Sequence, residues 1–350
     1  EQSRAEQLDS CDFIKVCLML LVVIYHSLAL WLPNGWFIPP EHTSPILGTV
    51  ALWINTFQVY GFVLVSGYIF AYLKFEKEKY RELKSFFINK AKRLLVPYVF
   101  TMILWVAPWH WFYFPSTIED FIYRYVLGCS PSQLWFLLML FFVFLIAYFL
   151  SDMIKKSPFW GIVISLLLYG IGIIGQVSVG NYFQIFTACT YFIFFSVGML
   201  LRIYGDEILN RIPVIAYITV DVILFVVYNI CDSRYTIIFK ALKLCSLLLL
   251  HLVGALMAFM LFSRMEKSID QRTKGDYKNA RFYRFLNQQN FTIYLFHQQV
   301  IYGVITLLNG KTPSVILAIA NFVISLAVSS IIAALLSKWK ISRILIGQKM

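Results

Sequence analysis

Charge is scarce in this sequence: Asp, Glu, Lys and Arg together supply 14% of its 350 residues, against 60% for hydrophobic ones. That balance excludes a single water-soluble globular core, which could not cover so much apolar surface with so few polar groups. Cysteine is sparse too. The six cysteines fall mostly inside or at the ends of apolar runs and form no C-x-x-C pair, so neither a disulfide framework nor a metal site is indicated and they read as small core residues. The short alternating segments of an outer-membrane barrel are missing. So are low-complexity tracts and an inverted pair of Gly/Pro-broken helices, an absence that weighs against a transporter built on such a repeat. The chain opens on Glu1 rather than Met, and no charged n-region with a cleavage site precedes the first apolar run, which is therefore expected to stay in the mature protein.

What the chain does have is a succession of nearly uncharged runs of 18 or more residues. Lipid offers no water to main-chain N–H and C=O groups, so each run must be a helix. Ten spans are predicted, near 13–32, 46–73, 94–114, 132–150, 160–177, 183–201, 213–230, 237–262, 291–308 and 314–336. The longest loops, 115–131 and 263–290, are too short for an appended soluble domain, so residues 1–350 form one all-α integral-membrane domain with its chemistry in the bundle or its mouths. Sorting Lys and Arg by side leaves 25 of 30 on the face of the termini; Arg124, Arg234, Lys240, Lys243 and Lys311 take the other. Positive charge stays inside, so both termini are expected to be cytoplasmic. The formal charge of +12 is then explained by topology and anionic inner-leaflet lipid, and no nucleic-acid partner is implied.

Polar side chains inside the spans carry the functional signal. The first span contains Asp12 and Lys15, three residues apart on one face near the cytoplasmic end, where they can pair with each other or with phosphate. His26, beside Tyr25, follows 11 residues after Lys15, roughly 16 Å along the axis. An imidazole at that depth is expected to be neutral and ready to accept a proton, as a general base for hydroxyl attack on a thioester must be. The other reading is a hydrogen bond to a neighbouring helix, and His26 alone does not decide between them. His297, one to two turns into the ninth span, could line the same cavity or merely bond a carbonyl.

Lys90, Lys92 and Arg93 gather at the inner mouth of the third span, where they suit either the phosphates of a nucleotide head or lipid headgroups. Trp135 opens the fourth span as an interfacial anchor or a platform for a sugar ring. Ser66, in Ser66-Gly67-Tyr68, lies where close helix packing competes with substrate contact. His251 has only apolar neighbours in sequence and reads as structural, while Asp221 needs a partner, a His among the candidates. Arg234, Lys240 and Lys243 could hold a diphosphate or an acidic sugar, or simply snorkel.

In order and spacing these pieces resemble the integral-membrane acyltransferase-3 family of bacterial O-acetyltransferases. The matching elements are Asp12, Lys15 and His26; SGYIF at 66–70; KAKRLLVPY at 90–98; QLWFLLML at 133–140; and IYLFHQQ at 293–299. The resemblance implies acetyl transfer from cytoplasmic acetyl-CoA to a hydroxyl of a cell-surface or lipid-linked glycan, in a multi-pass protein of the bacterial inner membrane. It places the essential first-helix His on His26 and the donor motif on Lys90 and Arg93. Relatives often have Arg at the positions of Lys15 and Lys90, and many carry a periplasmic hydrolase-like domain, so this chain looks like the stand-alone form. Tyr25, Ser66 and Trp135 are the candidates to meet the acceptor, and His297 the candidate to assist His26. The alternative is a transporter or flippase of a glycan or lipid-linked substrate that makes no bond.

Overall fold

Main-chain groups that cannot reach water bond within their own helix, and the computed structural model accordingly describes residues 2–33, 35–205, 211–232 and 236–348 as helices and short connections, with no strand among them. Ten helices among the described residues are long and apolar enough to cross a membrane. The first is α1 (Gln2–Leu28). The second breaks at Thr56 and Phe57 into α2 (Pro45–Asn55) and α3 (Gln58–Ala71), and the third joins α4 (Leu83–Thr101) to α5 (Ala107–Tyr113) through a π turn. A four-residue helix α6 (Ile118–Phe121) then leads to α7 (Trp135–Lys156), α8 (Pro158–Ser178), α9 (Ile185–Tyr204) and α10 (Val214–Asp232). Last come α11 (Ile237–Thr273), α12 (Arg281–Leu308), α13 (Ser314–Leu336) and the short α14 (Lys340–Leu345).

The spans agree with the hydropathy reading, but several helices outrun it. α4 begins at Leu83, so Lys90, Lys92 and Arg93 stand on a helix rather than in a loop, and Pro97 lies inside that helix. α11 runs on to Thr273 and α12 starts at Arg281, which shortens the expected 263–290 loop to residues 274–280. Charged helices continue into water because the last turns need no apolar face. His297 consequently lies sixteen residues into α12, near its middle.

At the centre stand α9, whose apolar window is 61% buried, and α1, α7 and α12, each 56%; α8 at 22% and α10 at 17% are peripheral. α3 and α9 cross through two glycines. A Cβ on Gly67 would lie 2.0 Å from the Phe195 carbonyl oxygen, and one on Gly198 would lie 2.0 Å from that of Leu64. Small residues permit this approach where lipid supplies no hydrophobic drive for helix association. On the terminal face the buried carboxylate of Glu266 accepts from Ser10 Oγ and Tyr277 Oη, both at 2.6 Å, tying α1 to α11 and to the turn before α12. On the opposite face Trp31 donates to the His42 carbonyl at 2.9 Å, and Asn309 holds Pro39 and Glu41 at 2.9 and 3.1 Å. These bonds strap residues 35–44 across the ends of α1 and α12.

The six cysteines are free, and Cys11, Cys189 and Cys231 are buried.

Candidate active site

On α1, Asp12, Lys15, Met19, Val22 and His26 follow one another at intervals of three and four and so share a face. At the far end of that face His26 Nδ1 lies 3.0 Å from the carbonyl oxygen of Val22, one turn back. His297, fully buried on α12, brings Nδ1 to 2.7 Å from the Tyr294 carbonyl oxygen and Nε2 to 3.0 Å from His26 Nδ1. Carbonyl oxygens only accept, so in two neutral rings both Nδ1 atoms carry the hydrogen. His297 Nε2 is then an acceptor, and His26 Nδ1–H donates to it as well as to Val22. His26 Nε2 keeps its lone pair and is the one ring nitrogen of the pair with no hydrogen bond to a described residue. His26 as a whole is half-buried.

The backbone beneath His297 is held from several sides. Gln133, at the start of the fourth span, donates through Nε2 to the Leu295 carbonyl at 3.0 Å and to Gln299 Oε1 at 2.6 Å, and Gln299 Nε2 returns a bond at 3.1 Å. Tyr294 donates its hydroxyl to the Gln133 carbonyl, and Trp105 donates to the Phe296 carbonyl at 3.1 Å. The QLW and FHQQ segments thus meet as one polar joint between α7 and α12. Above the pair, Trp36 donates to the His26 carbonyl at 3.1 Å and packs edge-on against Tyr302, ring centroids 4.4 Å apart. This roof and the Gln133–Gln299 joint were not singled out in the sequence; an unpaired amide at each end of two quoted motifs was the available signal.

A cavity of about 370 Å³ opens in the half of the bundle away from the termini. Trp135 lines it, with Tyr60 of α3, Tyr191 of α9, Tyr169 and Gln176 of α8, and His251 of α11. Tyr60 stacks on Tyr191 at 4.8 Å and on His251 at 3.8 Å, and Trp135 lies 5.6 Å from Tyr191. The ring of Tyr25 lies 4.9 Å from that of His26. Sequence reasoning missed these companions of His251, because they arrive from four other helices.

The remaining candidates divide. Lys15 pairs with Asp12 at 2.6 Å, and Asn287 of α12 reaches the same carboxylate at 3.5 Å. Lys92 and Arg93 are exposed on the terminal face, whereas Lys90 is buried. Its Nζ lies 3.4 Å from the centroid of Phe144 and 3.4 Å from the Tyr80 hydroxyl, in an aromatic cage. Burial pushes the neighbouring Tyr80 phenol up, against the downward pull of Arg93. Half-buried Ser66 bonds back to the Phe62 carbonyl at 2.8 Å, and Gly67 beside it makes the close helix contact. Asp221 accepts from Trp53 Nε1 at 2.8 Å rather than from a His. Lys243 pairs with Asp232, Lys240 is exposed, and Arg234 lies outside the described residues.

A family model described as an acyltransferase domain matches residues 8–336, nearly the whole chain. No curated protein and no solved structure matches the sequence.

Proposed function

Because this chain belongs to the acyltransferase-3 family, and so is a multi-pass membrane acyltransferase, we propose that it moves acetyl from acetyl-CoA to a hydroxyl of a cell-surface or lipid-linked glycan, with His26 as the general base. The observation that carries the base assignment is the 3.0 Å contact between the two imidazoles, with His297 in turn anchored on Tyr294. His26 Nε2 takes the acceptor hydroxyl proton as its oxygen attacks the thioester carbonyl. The carbon–sulfur bond then breaks, and the thiolate recovers the proton from the imidazolium, leaving an ester and CoA thiol. His297 acts as a positioning residue. It fixes the tautomer of His26 and accepts a stronger hydrogen bond once that ring is charged.

The donor reading is supported by the basic terminal face, where Lys92 and Arg93 suit the phosphates of CoA. The α1 face from Lys15 to His26 runs roughly 16 Å, comparable to an extended pantetheine arm. The cage around Lys90 favours an anchoring role for that residue. A bacterial cytoplasmic membrane, with the terminal face inside, suits both the charge distribution and a cytoplasmic donor. Trp135, which lines the cavity in the half of the bundle away from the termini, supports an approach of the acceptor from that side.

Membership of an acyltransferase family favours bond making over the flippase alternative. The test is transfer of labelled acetyl from acetyl-CoA to envelope glycan by membrane vesicles bearing the protein. His26→Ala should lose roughly 10²-fold or more of the rate, and a normal rate in that variant would remove His26 from the chemistry. Detergent-solubilised protein should bind CoA, which a glycan flippase has no reason to do.

A further inference from the structure

We propose that the cavity between α3, α7, α8, α9 and α11 is a binding site for an uncharged, hydroxyl-rich ring, a neutral pyranose, and that His251 and Gln176 hold its hydroxyls. The assignment of this ligand as the acetyl acceptor rests on the acyltransferase reading above; the binding itself does not.

The lining explains the choice of ligand. No Asp, Glu, Lys or Arg contributes to it. A carboxylated sugar would therefore bring its charge to membrane depth without a counter-ion, which is strongly disfavoured. Lys243, one turn outward from cavity-lining Leu247, is already paired with Asp232. The lining is rich in aromatic rings, Tyr60, Tyr191 and Trp135 among them, a residue type that packs well on the C–H face of a pyranose.

Around these rings some polar groups are spent and others are not. Gln184 donates to the Gly128 carbonyl at 2.7 Å and accepts from Thr187 at 3.0 Å, and Asn181 donates to Thr187 at 2.6 Å. By contrast the Trp135 indole, the Tyr169 hydroxyl, the Gln176 amide and both nitrogens of His251 make no hydrogen bond to any described residue. His251 is nevertheless buried, at 9% exposure. Four unspent hydrogen-bonding side chains around one cavity, three of them half-exposed, are available to a ligand that enters it. Between them they offer the donors and acceptors that a set of sugar hydroxyls requires. The volume, about 370 Å³, is at the small end of ligand sites, in keeping with a short saccharide rather than a polymer segment.

The experiment uses the full chain in lipid nanodiscs, because a maltoside or glucoside detergent would itself present a neutral sugar. Saturation-transfer NMR titrations with methyl glucoside, methyl galactoside, N-acetylglucosamine and glucuronic acid compare wild type with His251→Phe and Gln176→Leu. Acetyl-CoA binding and melting temperature serve as folding controls. At least one neutral sugar should bind, glucuronic acid should bind more weakly, and each substitution should weaken the neutral sugar by about 2- to 12-fold, the worth of one hydrogen bond. Should His251→Phe fail its folding controls, Gln176→Leu decides alone. Absence of neutral-sugar binding, preference for the acid, or binding indifferent to the substitutions overturns the proposal. His26→Ala separates the two readings: sugar binding with transfer lost supports both, whereas sugar binding with transfer retained removes the base and leaves the cavity.

Discussion

Replacing His297 with Phe keeps an aromatic ring in the core but removes the acceptor 3.0 Å from His26 Nδ1. In the resting state the loss is small, since the Val22 carbonyl, also at 3.0 Å, still orients the hydrogen. It grows when His26 takes the acceptor's proton, because the lost bond is then one donated by a cation. A hydrogen bond to a charged group contributes about 1.5–3 kcal/mol, and each 1.36 kcal/mol is tenfold in rate, so kcat should fall by about 10- to 150-fold. KM for both substrates should stay near its wild-type value, since the interaction strengthens only along the reaction coordinate. His297→Gln, whose carbonyl oxygen accepts, should recover part of the loss. The assay is initial-rate acetyl transfer in membrane vesicles at matched protein levels. A His297→Phe variant as fast as wild type would refute the tautomer argument, and so would a defect confined to KM.

Two further substitutions probe packing and donor binding. Gly198→Ala should cost about 1–3 kcal/mol or abolish folding, because the Leu64 carbonyl occupies the methyl's place; Gly170→Ala, with nothing within 4 Å, should leave the melting temperature unchanged or slightly raised. Lys90→Met should lower the melting temperature by removing the cation from its aromatic cage, whereas Arg93→Ala should spare stability and raise KM for acetyl-CoA about two- to fivefold, as expected of an exposed charge; the opposite pattern would exchange their roles.

The spans were legible because lipid leaves the backbone no alternative to a helix, and ten nearly uncharged runs became ten helices long and apolar enough to cross a membrane. Helix ends were not, because hydropathy falls where charge begins while hydrogen bonding continues: α11 keeps its helix through Arg272 and Thr273. The π turns at 72–76, 102–106 and 122–126 leave no clear mark in the sequence. His26 and His297 stood out singly as polar residues at membrane depth, but nothing along the chain says that side chains 271 positions apart share a hydrogen bond. The setting of His251 was hidden for the same reason. Its sequence neighbours are leucines, and the groups that give it a chemical setting, Tyr60 and Tyr191, stand on α3 and α9.

The reciprocal glycine crossing has a mechanical consequence. With each main chain seated against a carbonyl of the other, sliding or rotation of α3 past α9 would drive main chain against main chain, so the wall bearing Tyr60 and Tyr191 is braced. A carrier must swing such a wall to move its cargo. An acyltransferase has no cargo to carry through such a wall, so a braced partition suits bond making better than it suits transport.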